Sequence, residues 1–166
     1  MAATVARFGG LDILINNAGI GIFATVAEMT RAQWSDIIDT NLTGVFNTCH
    51  AAIPHLRERG GGSIINISSL ASTSPFPKAA AYCATKTGLN AFSEALMQEV
   101  RYDNIRVSCV LPGSVATEFG GGNESTGADW KVAPAEVAQI VVSLIRHPVR
   151  SLPSRVELRP TRPPKK

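Results

Sequence analysis

Three short apolar runs, separated by long stretches of helical period, constrain this chain more than any other feature. The runs are residues 11–15, 63–68 and 106–111. Between them, residues 31–58 repeat Trp34, Ile37, Ile38, Leu42, Val45, Phe46 and Ile53 at helical spacing, and residues 81–102 are rich in Ala, Leu and Glu. Gly9-Gly10, Gly60-Gly61-Gly62 and Pro112-Gly113 punctuate the series. Residues 4–9 read as the tail of a helix. Residues 134–147 read as a third long helix with Pro134 near its first turn, and residues 156–158 as a short last strand. Pro54 is expected to kink the helix 31–58. Strand and helix in alternation mean an α/β fold with a parallel, Rossmann-like sheet, because a parallel pair needs a crossover. Strands apolar on both faces are expected where helices cover both sides. No repeat or linker divides the chain, so residues 1–166 read as one domain ending in a basic, Pro-rich tail at 159–166.

Composition narrows the function classes. Hydrophobic residues make up 45% and charged residues 17%, which suits a packed core and not a disordered chain. The formal charge of +3 is concentrated late, at Arg155, Arg159, Arg162, Lys165 and Lys166. Pro160, Pro163 and Pro164 interrupt it and no aromatic stacking set lies nearby. A solvated tail is expected, with no nucleic acid as partner. Three cysteines, Cys49, Cys83 and Cys109, show no C-x-x-C spacing. No disulfide framework or metal site is expected, and a reducing compartment fits. The first residues carry no signal-peptide pattern, and no apolar run is long enough to span a bilayer. A cytoplasmic protein without a membrane partner is the expectation.

Gly19-Ile20-Gly21-Ile22-Phe23-Ala24 matches the spacing of a dinucleotide fingerprint, and Asp39 lies twenty residues beyond Gly19. In that motif the acidic residue ends a second strand. Here Asp39 sits inside the helical stretch, so the match is rejected. The triple glycine at 60–62 precedes a strand and offers no helix N-terminus to a phosphate.

Tyr82-Cys83-Ala84-Thr85-Lys86 carries the chemistry. On a helix, Tyr82 and Lys86 lie one turn apart on one face. A free phenol, with a pKa near ~10, is a poor base at neutral pH. A neighbouring ammonium favours the phenolate and would lower that value, so that the pair could exchange a proton with an alcohol or carbonyl. Taken alone, the spacing fits any amphipathic helix. Its surroundings make it specific. Ser69 stands thirteen residues earlier, just past the strand 63–68, where a parallel sheet lines its active-site crevice. Asn16-Asn17-Ala18-Gly19 follows the first strand, and Asn41 interrupts an apolar helix in which Asn is a mediocre former.

Asn16 to Gly19, Asn41, Ser69, Tyr82-x-x-x-Lys86 and Pro112-Gly113, in this order, resemble the short-chain dehydrogenase/reductase family from about Arg7 to about Leu158. The bacterial 3-oxoacyl-carrier-protein reductases look like its nearest members. The resemblance implies an NAD(P)-dependent oxidoreductase that interconverts a carbonyl and a secondary alcohol. It implies Tyr82 as acid/base, Lys86 as the group that lowers its pKa and holds the nicotinamide ribose, Ser69 as the residue that polarises the substrate carbonyl, and Asn41 as support for a relay water. Asn17, Ala18 and Gly19 would follow the cofactor ribose, together with Tyr82 and Lys86. Pro112, Gly113, Val115 and Thr117 would line the nicotinamide, and the loop 118–129 would be a substrate lid. Phe76, Lys78, Phe119 and Trp130 are candidates for the pocket wall.

The family's Gly-rich Thr-Gly-x-x-x-Gly-x-Gly turn and the first three strands are not found before Asn16. Since those pieces set the cofactor, NAD and NADP stay undistinguished. The strand at 11–15 is then expected to present an apolar edge, and the chain to fold poorly, self-associate or be part of a longer protein. The alternative reading is a non-catalytic fragment or subunit that joins a full-length partner. Homo-oligomers through helices 31–58 and 81–102 are what the resemblance implies.

Overall fold

A computed structural model describes residues 1–121 and 129–165. In chain order its main elements are α1 (Ala2–Phe8), β1 (Ile13–Asn16), α2 (Arg31–Ile38), α3 (Gly44–Glu58), β2 (Gly62–Ile67), α4 (Ala80–Val100), β3 (Ile105–Pro112), α5 (Pro134–Ile145) and β4 (Arg155–Leu158). The strands form one parallel sheet in the order β1-β2-β3-β4. Asn16 stands beside Asn66, and Asn66 beside Cys109. That register brings the C-terminal ends of three strands to the same edge.

Local chemistry explains the ends of the helices. α1 stops at Gly9, whose φ of 79° is a left-handed conformation that glycine adopts at no steric cost. α2 opens on a capping box. The Gln33 backbone N–H donates to the Thr30 hydroxyl at 3.2 Å, and the Thr30 N–H donates to the Gln33 side chain at 2.9 Å. α5 begins with Pro134, and the Ala133 N–H donates to the Glu136 carboxylate at 2.6 Å.

The single helix expected over 31–58 is two helices. A π-turn, Asp39–Thr43, joins them, and the Gly44 N–H reaches back five residues to the Asp39 carbonyl. Tertiary bonding accounts for the break. The side chain of Asn41 in this turn is fully buried and bonded to the backbone of a distant loop.

Two cores flank the sheet. On one face Leu14, Ile64 and Val107 pack under Cys49 and Leu56 of α3 and Leu89 and Leu96 of α4. On the other, Ile65 and Val110 pack under Leu144 of α5, with Ile140 and Val156 at the margin. Helices therefore cover both faces of β2 and β3, as the sequence implied. β1 departs from that pattern. Its Ile13 and Ile15 are 37% and 44% exposed, and among the described residues no strand pairs with its outer edge. The arrangement is a Rossmann-like α/β layer fold. Among the described residues no helix is long and apolar enough to cross a membrane.

Candidate active site

The sheet's C-terminal edge gathers the expected residues. Asn17, Ala18 and Gly19 follow β1, Ser69 follows β2, and Gly113 follows β3. Tyr82 lies in the first turn of α4 with Lys86 one turn on, and both are buried.

Ser69 is held from several sides. It starts a short 3-10 turn, Leu70–Ser72, by accepting the Ala71 N–H at 3.1 Å on its hydroxyl. Its own hydroxyl proton remains free to donate. The turn is tied to α4, because Thr87 donates to the Ser72 carbonyl at 3.0 Å and the Asn90 amide donates to the Ser72 hydroxyl at 2.8 Å. Ser69 thereby stays near the Tyr82 phenol, where its hydroxyl favours the ionised form.

Lys86 is fixed from β2. Its ammonium donates to the Ile67 carbonyl at 2.8 Å, while the Ser68 hydroxyl donates to the Lys86 carbonyl at 3.1 Å. An ammonium carries three donors, so capacity remains after the Ile67 bond. A methyl added at Gly19 would lie 3.4 Å from that ammonium and 3.3 Å from the Asn41 amide oxygen. Glycine here lets the backbone pass close to both.

Asn41 clamps the loop after β1. Its amide oxygen accepts from the Ile20 N–H at 2.8 Å, and its NH2 donates to the Ile20 carbonyl at 2.9 Å and to Thr85 at 3.3 Å. Asn16 is one step in a buried side-chain relay: Thr48 donates to Asn16 at 2.7 Å, Asn16 to Asn66 at 2.8 Å, and Asn66 to Ser93 at 2.9 Å. The chain ties α3, β1, β2 and α4 together beneath the site. In the satisfied form seen here such a network rigidifies its surroundings.

Burial dominates the titrations. It pushes the Tyr82 phenol up, which the Ser69 hydrogen bond partly offsets. It pulls the Lys86 ammonium down to about 8, with Cys109 acting weakly the other way. The lysine is not among the causes acting on the tyrosine, which departs from the expected lowering. Its charge is directed at a β2 carbonyl, and withdrawal from water disfavours both ions.

The rejected fingerprint is irregular chain. Residues 17–25 hold no helix, and Asp39 lies in the π-turn and not at a strand end. One of its residues matters all the same. Phe23, which sequence reading missed, meets Tyr82 at 5.9 Å between ring centres, and also meets Phe76 and Phe119. Loop residues have no period to betray them; the only signal was an aromatic side chain a few residues past the Asn-Gly turn. Trp130 stands apart under Lys131. Lys78 is exposed, with a left-handed φ of 66° and its carbonyl accepting the Ala24 N–H at 2.9 Å. Pro112 is buried, whereas Gly113, Val115 and Thr117 are half-buried beyond β3. Most of the expected lid, residues 122–128, lies outside the described residues. A cavity of about 240 Å³ lies beneath α4 near Cys109 and Arg155, and none of Ser69, Tyr82 and Lys86 lines it. The residues expected to carry the chemistry therefore gather at the sheet edge, away from this cavity. No cluster of metal-binding side chains occurs among the described residues.

Comparison with known proteins gives consistent matches. Residues 1–127 match the family model described as short chain dehydrogenase. A 3-oxoacyl-[acyl-carrier-protein] reductase of Chlamydia muridarum is 39% identical over 127 residues, 76% of this chain and 51% of that protein. The chain thus spans about half the length of the curated relatives it matches. An alcohol dehydrogenase from the archaeon Thermococcus sibiricus, complexed with 5-hydroxy-NADP, superposes with a TM-score of 0.89 at 27% identity, covering 99% of this chain and 70% of that one. A 3-ketoacyl-(acyl-carrier-protein) reductase from Brucella melitensis, complexed with NADH, gives 0.87 at 26% identity, covering 96% and 70%.

Proposed function

The chain belongs to the short-chain dehydrogenase family, and from that premise we propose that it is the proton-transferring, substrate-orienting part of an NAD(P)-dependent oxidoreductase that interconverts a carbonyl and a secondary alcohol. The observation that carries this reading is the convergence of Ser69, Tyr82 and Lys86 at one sheet edge, with the Lys86 ammonium 5.9 Å from the centre of the Tyr82 ring. In the reducing direction Ser69 donates to the substrate oxygen and holds it beside Tyr82. Tyr82 gives its phenolic proton to that oxygen as the carbon–oxygen double bond becomes a single bond. In the oxidising direction the same phenol, once ionised, takes the proton back. A dinucleotide, when bound, supplies or accepts the hydride at the substrate carbon, which no side chain can do.

The described residues fit the nicotinamide end of such a cofactor. Lys86 has donors left for ribose hydroxyls, Gly19 leaves the backbone open beside it, and Asn17 and Ala18 are exposed on the same loop. Pro112, Gly113, Val115 and Thr117 would border the ring. Asn41 acts by positioning, since its amide is spent on Ile20 and Thr85, and the relay-water role rests on family resemblance. The similar structures complexed with NADH and with 5-hydroxy-NADP support either cofactor.

Association through α2–α3 and α4 is the second part of the proposal. Trp34 and Phe46 are 46% and 52% exposed on α2 and α3, and a partner's helices would cover them.

The test is hydride transfer between NADH or NADPH and a panel of ketones, followed by absorbance. Turnover that disappears in Tyr82→Phe while the fold persists supports the reading. A folded wild-type chain with neither turnover nor cofactor binding refutes it.

A further inference from the structure

Four aromatic rings meet at the mouth of the site. Phe23 stands edge-on to Tyr82 at 78° and to Phe119 at 69°, and is tilted 44° to Phe76. Phe119 also meets Tyr82 directly, at 5.4 Å between centres. The three phenylalanines are 39%, 48% and 42% exposed. A core side chain would be covered, and a stray surface side chain would stand alone; these do neither. The backbone makes room for them. A methyl added at Gly21 would come within 2.7 Å of the Phe119 ring, and one at Gly120 within 2.5 Å of the Phe23 ring.

We propose that Phe23, Phe76 and Phe119 are specificity-determining residues that select neutral substrates bearing an aryl group. The inference rests on the assignment of Tyr82 as the proton-transferring group. The rings are contiguous with that group, so whatever reaches the phenol lies against them. The exposed parts of these rings offer a guest ring surfaces that it can meet in a favourable offset or perpendicular geometry. A saturated ring of similar size gains area alone. A carboxylate would lose water while facing the negative side of the aromatic quadrupoles, and among the described residues the exposed Lys78 is the one cation in the neighbouring loop. The site therefore accepts an aryl ketone, ranks its saturated analogue below it, and rejects its carboxylated analogue.

The experiment compares acetophenone, cyclohexyl methyl ketone and 4-acetylbenzoate on the purified chain. Affinity is read by ligand-observed nuclear magnetic resonance without cofactor, and hydride transfer is read separately with NADPH and NADH. Acetophenone is expected to bind about fivefold more tightly than its saturated analogue, ~1 kcal/mol, with the carboxylate weakest. Phe23→Ala and Phe76→Ala should each remove most of that preference. Phe76 is the most exposed of the three, so its truncation leaves the fold intact even if that of Phe23 does not. Equal affinity for the two neutral ketones, or a preference unchanged in both variants, overturns the inference. Ketone turnover without aryl preference overturns it too, and leaves the oxidoreductase reading standing. Aryl-selective binding with no hydride transfer does the reverse.

Discussion

The ammonium of Lys86 stands 5.9 Å from the centre of the Tyr82 ring and donates at 2.8 Å to the carbonyl of Ile67. Two titratable side chains share one buried compartment, and burial drives both toward neutrality: the phenol up, the ammonium down to about 8.

That lysine makes stability depend on pH with a definite sign. Its folded pKa of about 8 lies below its ordinary 10.5. Between those values the unfolded chain binds the proton and the folded chain does not, so stability rises with pH across the window. Below it the charged lysine costs up to about 3 kcal/mol. Against Lys86→Met, the wild type should gain roughly 1–3 kcal/mol from pH 7 to pH 10. The comparison cancels the buried thiol Cys49, whose raised value acts in the opposite sense as pH climbs. Urea unfolding of both proteins across that range measures it, and parallel curves would refute it.

Tyr82→Phe removes one hydroxyl near Ser69. Stability should change by no more than about 1 kcal/mol, the net worth of one hydrogen bond. Turnover should fall at least ~100-fold, as expected for loss of a general acid. Thermal melting and initial rates on the same samples separate the two effects.

Asn41→Ala strands both the N–H and the carbonyl of Ile20. Both groups are part-buried, so each costs at the lower end of about 1–3 kcal/mol when unpaired, and a total loss of about 2–4 kcal/mol is expected in chemical denaturation. Asn41→Asp should rescue little, since it keeps the acceptor for the Ile20 N–H, loses the donor to the carbonyl and buries a charge. A loss below about 1 kcal/mol would mean that the loop finds other partners.

Among the described residues no strand covers the outer edge of β1, and Ile13 and Ile15 are exposed beside it. Such an edge invites strand pairing between chains, and charge on it discourages that. Ile15→Lys should shift sedimentation profiles toward smaller species at equal concentration. Unchanged profiles would locate self-association elsewhere, with Trp34 and Phe46 next to be substituted.

What could be read from the sequence was local or periodic. The strands near residues 13, 64 and 107 announced themselves by apolar runs, and α4 by its composition, so Tyr82, Lys86 and Ser69 could be placed at one sheet edge before any coordinates. The relay from Thr48 through Asn16 and Asn66 to Ser93 could not, because it joins residues far apart in the chain. Phe23 was hidden for a different reason: its loop has no repeat, and its meaning depends on Phe76 and Phe119 arriving from other elements. The bare outer face of β1 followed from what stands next to it in the sheet, which its own residues do not encode.

The π-turn between α2 and α3 sets phase. Ile37, Asn41, Val45 and Cys49 follow one another at four-residue steps, and all are buried. In an unbroken α-helix each such step advances the seam by about 40°, so three steps would carry it about a third of the way round. The wider turn absorbs that drift and keeps the seam pointing inward. Removing one residue from 39–43 would leave a longer, more regular rod with its helical signal intact. Ile37 and Cys49, then eleven residues apart, would still share a face to within about 20°. The residue that is surplus in the hydrogen-bond ladder lets every step along the seam be four residues, where a regular helix needs one step of three.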